Sequence, residues 1–442
     1  MTKAALPLAQ RLSQLFRHLG IERAHLAARN VADWHGFATA HSDHIASLAL
    51  LCPAALDLRP FPDLAPRLLV ISGDHGAAAE RVQAAAQSTA GMASATLRDY
   101  EALMWSDLAA DHGVDIAAAM NGFLQSLDER RPLEPARLQE GEGEVAGIFY
   151  RVRRAGSPLV LMPLELAPSQ WEPLVPLLAE RYCTIELGGA FLGIVALLEA
   201  RGRSDYLGMI RTLLDLAHLR SGETILDVGC GSGVANREVA RRTGRGNRLI
   251  GIDTSPYLLR EAGRLARQEE FGDAIEFREA RAEVLPFPDN SMDLTLSCTV
   301  LEEGDAGRML AEMIRVTRPG GRVAVIVRAV DVPSWVNLPL SPELRAKVSS
   351  PGLFGAGVAP GGCADASLHS RFVKVGLEQL RCFTQFNTVT PEEPRLRMLQ
   401  QQPVATFSAG EAAQWQHAIE LAESEGTFFI AQPHHSAIGT KG

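Results

Sequence analysis

The stretch Ile225-Leu-Asp-Val-Gly-Cys-Gly-Ser-Gly-Val234 puts three glycines at alternate positions directly after a short apolar strand. The residues that follow, Ala235–Ala240, have helical character. An acid, Asp253, ends the next apolar strand (Arg248–Ile252), 20 residues after the last glycine. Glycines in such a turn let the backbone approach a ligand, and the acid can accept hydrogen bonds from a ribose. The pattern predicts a nucleotide-binding turn in an α/β domain.

The glycine spacing decides which nucleotide is expected. A dinucleotide fingerprint, G-x-G-x-x-G, that starts at Gly229 would need its third glycine at Val234, but Gly233 comes one residue early. Asp227, two residues ahead of the first glycine, would repel a pyrophosphate but suits a ligand that carries an ammonium group. The spacing therefore disfavours an NAD-dependent reductase.

The pattern D-x-G-x-G-x-G, with an acid at the end of the second strand, resembles the class I S-adenosylmethionine (AdoMet) methyltransferases, in particular their type 11, quinone C-methyltransferase-like branch. The resemblance covers about residues 205–442 and implies a Rossmann-like, seven-stranded α/β sheet with AdoMet as the cofactor. It implies that the turn faces the methionine part of AdoMet and that the second-strand acid takes the ribose hydroxyls. The residues that it assigns to the cofactor are Asp227, Gly229, Gly231, Gly233, Asp253, Thr254, Ala282, Glu283 and Cys298.

Further motifs of the same branch follow in order. Ala282–Asp293 resembles the segment before strand four, whose residues usually contact adenine, and Leu294–Cys298 is predicted as strand four. Ala306–Thr317 has apolar residues at helical spacing, and Val323–Val327 is predicted as strand five. The close of the chain, Gly426–Lys441, resembles the last antiparallel strand region of these enzymes.

One position departs from the family pattern. The family commonly has an Asp just before the adenine segment, whereas this chain has Arg281. A guanidinium has only donors and cannot accept a hydrogen bond from the adenine amine. Either Glu283 or a backbone carbonyl takes that role, or adenine is held mainly by packing.

The first 200 residues resemble an α/β-hydrolase whose C-terminal half precedes its N-terminal half. The matching pieces are Leu19–Trp34 (strand and nucleophile elbow), Ser47–Leu51 and Arg67–Asp74 (later strands), Asp111–Leu124 (last helix), Gly147–Met162 (opening strands), Trp171–Tyr182 (first helix) and Cys183–Leu187 (the strand after it). Domains tolerate circular permutation where their termini lie close together, and the joint is expected at Asp128–Glu144. An unrelated α/β domain is the alternative.

The hydrolase-like domain lacks the residues that hydrolysis needs. Asn30 stands at the elbow where a hydroxyl is required, and no G-x-S-x-G occurs. The catalytic His is missing near Trp105, and His112 falls in the wrong turn. We therefore predict an inactive domain that walls the acceptor pocket, forms a homodimer or binds a partner.

Composition limits the partners. The net charge of −9 argues against a nucleic-acid partner held through its phosphates, because such binding needs a basic face. Six scattered cysteines without a C-x-x-C pair indicate neither a disulfide framework nor a zinc site, so no metal is expected. No apolar stretch reaches the roughly 18 residues that a membrane span needs, and a cytoplasmic protein is expected.

Candidates for the methyl-transfer chemistry should lie at the C-terminal ends of the parallel strands. Glu302 and Glu303 follow strand four there, and two adjacent acids cannot share one face. One of them, Glu302, is predicted to act as a general base or to stabilise a developing cation. The alternative is a solvated pair that favours the N-terminus of the next helix.

His434 and His435 are expected in a hairpin between the halves of the last strand, near the same rim. His435 is the second candidate base, since a histidine titrates near neutrality. An exposed loop or a chance cluster is the alternative, and metal binding by this pair alone is disfavoured.

Two segments are expected to cover the ligands. Asp331–Val373 is long, rich in Gly and Pro, and contains Trp335 and Phe354, which indicates a lid over the acceptor pocket or a packed surface extension. Tyr206–Leu216 resembles the helix that often closes over AdoMet in the family.

The sequence thus predicts an AdoMet-dependent methyltransferase that acts on C, O or N of a small, largely apolar metabolite. Two alternatives stay open. One is an AdoMet-binding regulatory or structural protein without turnover, and the other is a non-methylating AdoMet enzyme such as an eliminase or a cyclase.

Overall fold

The structure is a computed structural model, and it describes residues 6–29, 31–54, 56, 62–102, 106–136, 138–354, 357–390, 393 and 395–442. The chain divides into two compact units, Met1–Ala196 and Leu197–Gly442, which we call unit 1 and unit 2. Asn30 and Trp105, on which the expectation of an inactive hydrolase site depends, lie outside the described residues.

Unit 1 contains an eight-stranded sheet. Its strands are β1 (Ala24–Ala28), β2 (Ile45–Leu51), β3 (Leu68–Gly73), β4 (Ala93–Leu97), β5 (Gly141–Val145), β6 (Ile148–Arg153), β7 (Ser157–Leu161) and β8 (Tyr182–Gly188). Its helices are α1 (Leu8–His18), α2 (Val31–Ala40), α3 (Ala77–Gln87), α4 (Leu108–Asp128), α5 (Val175–Leu178) and α6 (Gly193–Arg201), the last of which continues into unit 2. The strand order is β4-β3-β2-β1-β7-β8-β6-β5, and neighbours are parallel except at β6 and β5.

The central strands of unit 1 are continuous apolar runs, as expected for parallel strands that are covered on both faces. Every residue of β1, β2 and β3 is buried. Alternate side chains go to opposite faces. Leu26 belongs to one core cluster with Phe16 of α1, whereas Ala27 belongs to another with Met120 of α4.

The helix expected at Trp171–Tyr182 is much shorter in the structure. A 3-10 turn at Pro168–Trp171 is followed by the four residues of α5. Pro173 and Pro176 interrupt the segment. Because a proline has no N–H to donate and clashes with the preceding turn, these two residues keep the helix short.

Unit 2 contains the glycine turn and a second sheet. Its strands are β9 (Thr224–Val228), β10 (Arg248–Asp253), β11 (Ile275–Glu279), β12 (Met292–Cys298), β13 (Thr317–Arg328), β14 (Trp335–Val336), β15 (Leu377–Val389) and β16 (Ile430–Lys441). Its helices are α7 (Asp205–Leu216), α8 (Val234–Thr243), α9 (Pro256–Gln268), α10 (Ala306–Val316), α11 (Pro342–Val348), α12 (Ser367–Lys374), α13 (Arg395–Gln401) and α14 (Ala409–Glu425). The order is β11-β10-β9-β12-β13-β16-β14, and β15 also pairs with β16.

The parallel part of this sheet, β9 to β13, contains each of the strands predicted from the sequence. The two-residue β14 is an additional strand at the edge, and it makes the sheet eight-stranded where seven strands were expected. The C-terminal ends of β9, β10, β12 and β13 lie at one edge of the sheet, which is where doubly wound sheets bind their ligands.

The expectation of a hairpin at His434 and His435 is wrong. β16 is continuous, and the two histidines lie inside it, opposite Arg328 and Val327 of β13. The second antiparallel strand is β15, which pairs with β16 along almost its whole length. The sequence did not indicate β15 because its residues are mostly polar or exposed and do not form an apolar run.

The expected lid, Asp331–Val373, has more regular structure than its Gly and Pro content suggested. It contains β14, α11 and most of α12. Leu344 and Phe354 join a separate core cluster with Trp415 and Ile419 of α14. The segment is therefore packed onto unit 2, although Trp335 itself is 60% exposed.

Candidate active site

The glycine turn joins β9 to α8 with a left-handed backbone. Gly229, Gly231 and Gly233 have φ values of 74°, 55° and 81°. A Cβ on Gly229 would lie 2.3 Å from Cγ2 of Val300, so any side chain at this position would force the turn open. The shape of the turn therefore depends on glycine for both its dihedral angle and its space.

Asp253, at the end of β10, stabilises the turn by accepting hydrogen bonds from the backbone. Its Oδ2 accepts a hydrogen bond from the Gly231 N–H at 2.9 Å, and its Oδ1 accepts one from the Ser255 N–H at 3.0 Å. Burial raises the pKa of Asp253, and the backbone donors partly oppose this. Thr254, beside it, is exposed.

Asp227, near the end of β9, is a buried acid without a protein partner. Its side chain belongs to a residue that is 2% exposed, and its Oδ2 has no hydrogen-bond partner among the described residues. Burial, and then the charge of Asp253, raise the pKa of Asp227 to about 8. An unpaired buried carboxyl is costly, and an ammonium group from a ligand would offset that cost.

A buried ionic network supports the turn from the side of α8. Arg237 donates from Nη2 to both carboxylate oxygens of Glu199, at 2.7 and 2.6 Å, and Ser232 donates to the same carboxylate at 2.6 Å. Arg237 also donates to Glu269 at 2.9 Å. No sequence pattern predicts this network, because its members are distant in the chain and their pairing depends on the fold.

The segment expected at adenine follows β11. Ala282 is 8% exposed, and the side chain of Glu283 is largely buried. The Arg281 side chain is 74% exposed and lies 3.7 Å from the Glu283 carboxylate, so it points to solvent and does not stand in for the missing acid. Glu283 is also close to Gly304, where an added Cβ would lie 2.8 Å from Oε1. Adenine contact by Ala282 and Glu283 stays a prediction.

At the end of β12, Cys298 and Thr299 face α6 and α7. Burial raises the pKa of the Cys298 thiol. Thr299 has a positive φ of 58°, and its Oγ1 accepts a hydrogen bond from Arg201 Nη1 at 3.0 Å. The Arg201 guanidinium lies over the Tyr206 ring, 4.8 Å from the centroid. The sequence did not single out Arg201.

The two adjacent acids after β12 differ in burial, although both carboxylates lie within 4 Å of the Arg328 guanidinium. Glu302 is fully buried, and its Oε1 accepts a hydrogen bond from the Arg328 N–H at 2.7 Å. Its Oε2 has no hydrogen-bond partner in the described part of the chain, and burial raises its pKa to about 7. The Glu303 side chain is 60% exposed. Glu302 is therefore the acid that faces inward.

The two histidines of β16 also differ. His434 is buried and donates from Nδ1 to the Gln432 carbonyl at 3.1 Å, and burial together with nearby arginines, Arg395 foremost, lowers its pKa to about 3. His435 has both ring nitrogens engaged. Its Nε2 lies 2.9 Å from Asp331 Oδ1, and its Nδ1 lies 2.8 Å from Thr384 Oγ1.

A cavity lies beyond the C-terminal end of β13. It is a partly open depression, and about 310 Å³ of space without protein atoms lies within it, open solvent included. The residues that line it come from the ends of β13 and β16, from the Asp331–Val373 segment and from α13, and they include Arg328, Val332, Phe354, Arg395, Gln432 and His434. His434 reaches this cavity, whereas His435 is not among the residues that line it.

Comparison with known proteins finds similarity in unit 2, around the glycine turn. Residues 226–325 match the family Methyltransf_11, described as a methyltransferase domain. The ubiquinone/menaquinone biosynthesis C-methyltransferase UbiE of Hahella chejuensis is 33% identical over 150 residues, which cover 31% of this chain and 60% of the relative. UbiE of an Enterobacter species is 32% identical over 117 residues, which cover 26% and 47%.

The chain thus spans about half to three fifths of the length of these curated relatives. Solved structures similar to it include YcgJ of Bacillus subtilis, with 18% identity, 53% of this chain and 98% of that chain covered, and a TM-score of 0.36. Geranyl diphosphate methyltransferase in complex with SAM shows 17% identity, 53% and 84% coverage and a TM-score of 0.33. Likenesses with TM-scores this low carry no argument.

The match of residues 226–325 confirms the two main predictions for the domain around the glycine turn: it is a methyltransferase domain, and its cofactor is AdoMet. In the part of the chain that the structure describes, no helix is long and apolar enough to cross a membrane. Among the same residues, no group of three or more His, Cys, Asp or Glu side chains is arranged to hold a metal ion.

Proposed function

We propose that the chain is an AdoMet-dependent methyltransferase that acts on C, O or N of a small metabolite with a largely apolar body. The observation that carries the proposal is Asp227, a buried carboxyl beside a left-handed glycine turn, whose Oδ2 has no hydrogen-bond partner among the described residues. AdoMet supplies an electrophilic methyl group on a sulfonium and an ammonium group that this acid suits. The match of residues 226–325 to a methyltransferase domain supports the same assignment.

Different residues around the turn would bind different parts of the cofactor. Asp227 would bind the ammonium group, and the backbone of Gly229–Gly233 would leave room for the methionine part. Asp253 and Thr254 would take the ribose, and Ala282 with Glu283 would contact adenine. Cys298, at the end of β12, would lie beside the cofactor. The protein's main contribution to the rate is then positioning, since an in-line displacement depends on the alignment of its two reacting atoms.

Glu302 is the better candidate for a general base. It is buried, its Oε2 has no hydrogen-bond partner among the described residues, and its pKa is raised to about 7 by burial. A base works best when its pKa lies near the working pH. His435 has both ring nitrogens engaged by Asp331 and Thr384, which supports a role in joining β16 to its neighbours more than a role as base.

The acceptor would bind in the cavity beyond β13. Val332, Ser334, Gly352 and Phe354 contribute to its lining and all belong to the Asp331–Val373 segment, which supports the proposal that this segment covers the acceptor. The aliphatic and aromatic groups among them suit an apolar body.

The cofactor site is tested by calorimetry with S-adenosylhomocysteine on the full chain. Wild-type protein is expected to bind it in the micromolar range, and Asp253→Ala and Gly231→Val are expected to abolish binding. Unchanged binding in both variants would contradict the proposal.

The reaction is tested by incubating the protein with methyl-labelled AdoMet and a metabolite extract. Label in a metabolite supports methyl transfer. Release of methylthioadenosine indicates an eliminase or cyclase instead, and binding without any product indicates a regulatory or structural use of AdoMet.

For unit 1, we propose a circularly permuted α/β-hydrolase-like domain without hydrolase activity. When its strands are renumbered from β5, with β1 to β4 placed last, the sheet order becomes 1-2-4-3-5-6-7-8, which is the order of an α/β-hydrolase sheet. This supports the permutation and its joint between α4 and β5. A homodimer through this unit stays a prediction.

Unit 1 does contain a Ser-His-Asp chain. Ser47 Oγ lies 2.7 Å from His25 Nδ1, and His25 Nε2 lies 3.1 Å from Asp128 Oδ1. Ser47 is fully buried inside β2, so its hydroxyl cannot meet an ester. We expect no hydrolysis of p-nitrophenyl acetate by the full chain above the rate in buffer, and turnover that Ser47→Ala abolishes would contradict this.

A further inference from the structure

Two arginines line the cavity beyond β13, and the charge of a third, Arg201, acts on one of them. Arg328 ends β13, Arg395 begins α13, and Arg201 lies at the end of α6. Arg328 and Arg395 line the cavity directly. Arg201 is fixed by its hydrogen bond to Thr299 and by the Tyr206 ring. The three come from distant parts of the chain, and the fold of unit 2 brings their charges together.

The arginines that line the cavity differ in the acids and hydrogen-bond acceptors that lie close to them. Arg328 lies 3.6 Å from the Glu302 carboxylate and 3.9 Å from that of Glu303, and it donates to the Gly357 carbonyl. Arg395 has no hydrogen bond and no carboxylate within salt-bridge distance among the described residues. Burial, and then the charge of Arg201, lower the pKa of Arg395 to about 10. At neutral pH the Arg395 guanidinium is therefore still charged, with like charges as neighbours.

The other polar side chains that line the cavity, Ser334, Gln432 and His434, add no negative charge. His434 is neutral at physiological pH, because burial and the arginines lower its pKa to about 3. Of the acids described near these arginines, Glu302 is already engaged by Arg328 through its backbone N–H and its guanidinium, and Glu393 acts on Arg395 through its charge without a salt bridge to it. The cavity is thus locally cationic in a chain whose net charge is −9.

We propose that the methyl acceptor carries an oxyanion group, a carboxylate or a phosphate, which binds between Arg328 and Arg395. The inference rests on the proposed function and adds the substrate class. A guanidinium presents its donors in a planar fork that matches both groups. The rest of the acceptor would lie against Val330, Val332 and Phe354, so the expected substrate is an apolar body with one anionic end.

The test compares probes of matched shape and different charge. Binding of benzoate, phenyl phosphate and the neutral benzamide to the full chain is measured by ligand-observed NMR, with and without saturating S-adenosylhomocysteine. We expect the two anions to bind about 10–100-fold more tightly than benzamide, since charge-assisted hydrogen bonds contribute at that level. The preference of phenyl phosphate over benzoate, or the reverse, distinguishes the two anionic groups.

Arg395→Gln and a control, Arg248→Gln, assign the effect to the cavity. Arg248 has a 67% exposed side chain and begins β10, so it lies at the opposite end of the strands. Arg395→Gln is expected to remove the preference for the anions and to leave affinity for S-adenosylhomocysteine unchanged, whereas Arg248→Gln changes neither.

Each contrary result overturns the inference. Equal binding of benzoate and benzamide, no binding of any probe, or an anion preference that survives Arg395→Gln means that the cavity does not select an oxyanion. A loss of S-adenosylhomocysteine affinity in Arg395→Gln means that the arginines hold the carboxylate of the cofactor instead. Failure of the methyltransferase proposal has a different signature, because S-adenosylhomocysteine then binds to no variant while the anion preference is still measurable without it.

Discussion

The glycine turn and the cavity beyond β13 differ in the ionisable group that each leaves without a hydrogen-bond partner among the described residues. At the turn this group is the carboxyl of Asp227, whose Oδ2 has no hydrogen bond in the described residues. At the cavity it is the guanidinium of Arg395, which is surrounded by the charges of Arg201 and Arg328. A carboxyl suits a cationic cofactor, and a guanidinium suits an anionic acceptor.

On these two proposals, the ligands of unit 2 carry the charges that neutralise its unpaired groups. Asp227 at the turn and Arg395 at the cavity each lower the stability of the free protein, because an unpaired ionisable group is costly to bury. Each regains that stability when a ligand of opposite charge binds. Removing either group should therefore weaken the binding of one ligand and stabilise the free protein. A substitution that distorts the turn should weaken cofactor binding without stabilising the free protein.

The largest effect is expected from Gly229→Val, which attacks the shape of the turn and leaves its charge in place. The new Cβ would lie 2.3 Å from Val300 Cγ2, on a backbone with a φ of 74°. We expect calorimetry to detect no binding of S-adenosylhomocysteine. Gly244→Ala is the matched control, because Gly244 has a φ of 62° but no atom within 4 Å of an added Cβ. Cofactor binding by Gly229→Val at wild-type strength would mean that the turn does not hold the cofactor.

The turn was predictable from the sequence because its chemistry is local. Asp227, the three glycines and Asp253 lie within 27 residues, and the strand–turn–helix geometry fixes how they face each other. The same holds for the inward-facing acid after β12, since two adjacent acids cannot share a face. Each of these inferences needed only the alternation of side chains along one or two elements.

The cavity could not be predicted, because its residues meet only through tertiary structure. Arg395 follows a strand, β15, that has no apolar run to reveal it, and α14 packs on the Asp331–Val373 segment through Trp415. His434 was expected in a hairpin, but β15 supplies the partner strand and keeps β16 continuous. The positive charge of the site is a sum over elements that are adjacent in the fold and distant in sequence.

A second prediction concerns Glu302, the buried acid after β12. If it is the general base, Glu302→Gln should lower kcat by about 10²–10⁴-fold with a smaller change in KM. Its pKa of about 7 implies that the wild-type rate rises with pH through about 7, because the base acts in its deprotonated form. The adjacent Glu303→Gln is the control: that side chain is 60% exposed, so kcat should be unchanged, and the profile should move only slightly to lower pH because the charge of Glu303 is the smallest of the causes given for the pKa of Glu302. An unaltered pH profile in Glu302→Gln would exclude the role.

A third prediction separates charge from shape at the turn. Asp227→Asn keeps the size of the side chain and should weaken S-adenosylhomocysteine binding by about 10–100-fold, the contribution of a charge-assisted hydrogen bond. The free protein should instead become more stable at pH 8. Equal cofactor affinity in Asp227→Asn and wild type would contradict the assignment of the ammonium group to this acid.

The sign of the pH effect follows from the raised pKa of Asp227. The folded state holds this proton up to about pH 8, whereas the unfolded chain releases it near its ordinary value of 3.8. Stability from this group is therefore full at low pH and is lost as pH rises towards 8. Denaturant unfolding should show the gap between Asp227→Asn and wild type growing by roughly 3–4 kcal/mol from pH 5 to pH 8, since each pH unit below the folded pKa contributes about 1.4 kcal/mol. A gap that is constant across this range would mean that Asp227 does not titrate there.

The smallest effect is expected at the other end of the comparison, from Arg395→Gln in the free protein. The substitution removes a charge that has like-charged neighbours and, among the described residues, no hydrogen-bond or salt-bridge partner. It should therefore raise the free energy of unfolding by about 1 kcal/mol, or Tm by about 2–4 °C. Arg322→Gln provides the contrast, because Arg322 donates to both oxygens of the buried Glu223 carboxylate at 2.7 and 2.8 Å and its loss should destabilise the protein. If Arg395→Gln destabilised the protein as Arg322→Gln does, Arg395 would be a structural residue, and the cavity would lose the unbalanced charge that distinguishes it from the turn.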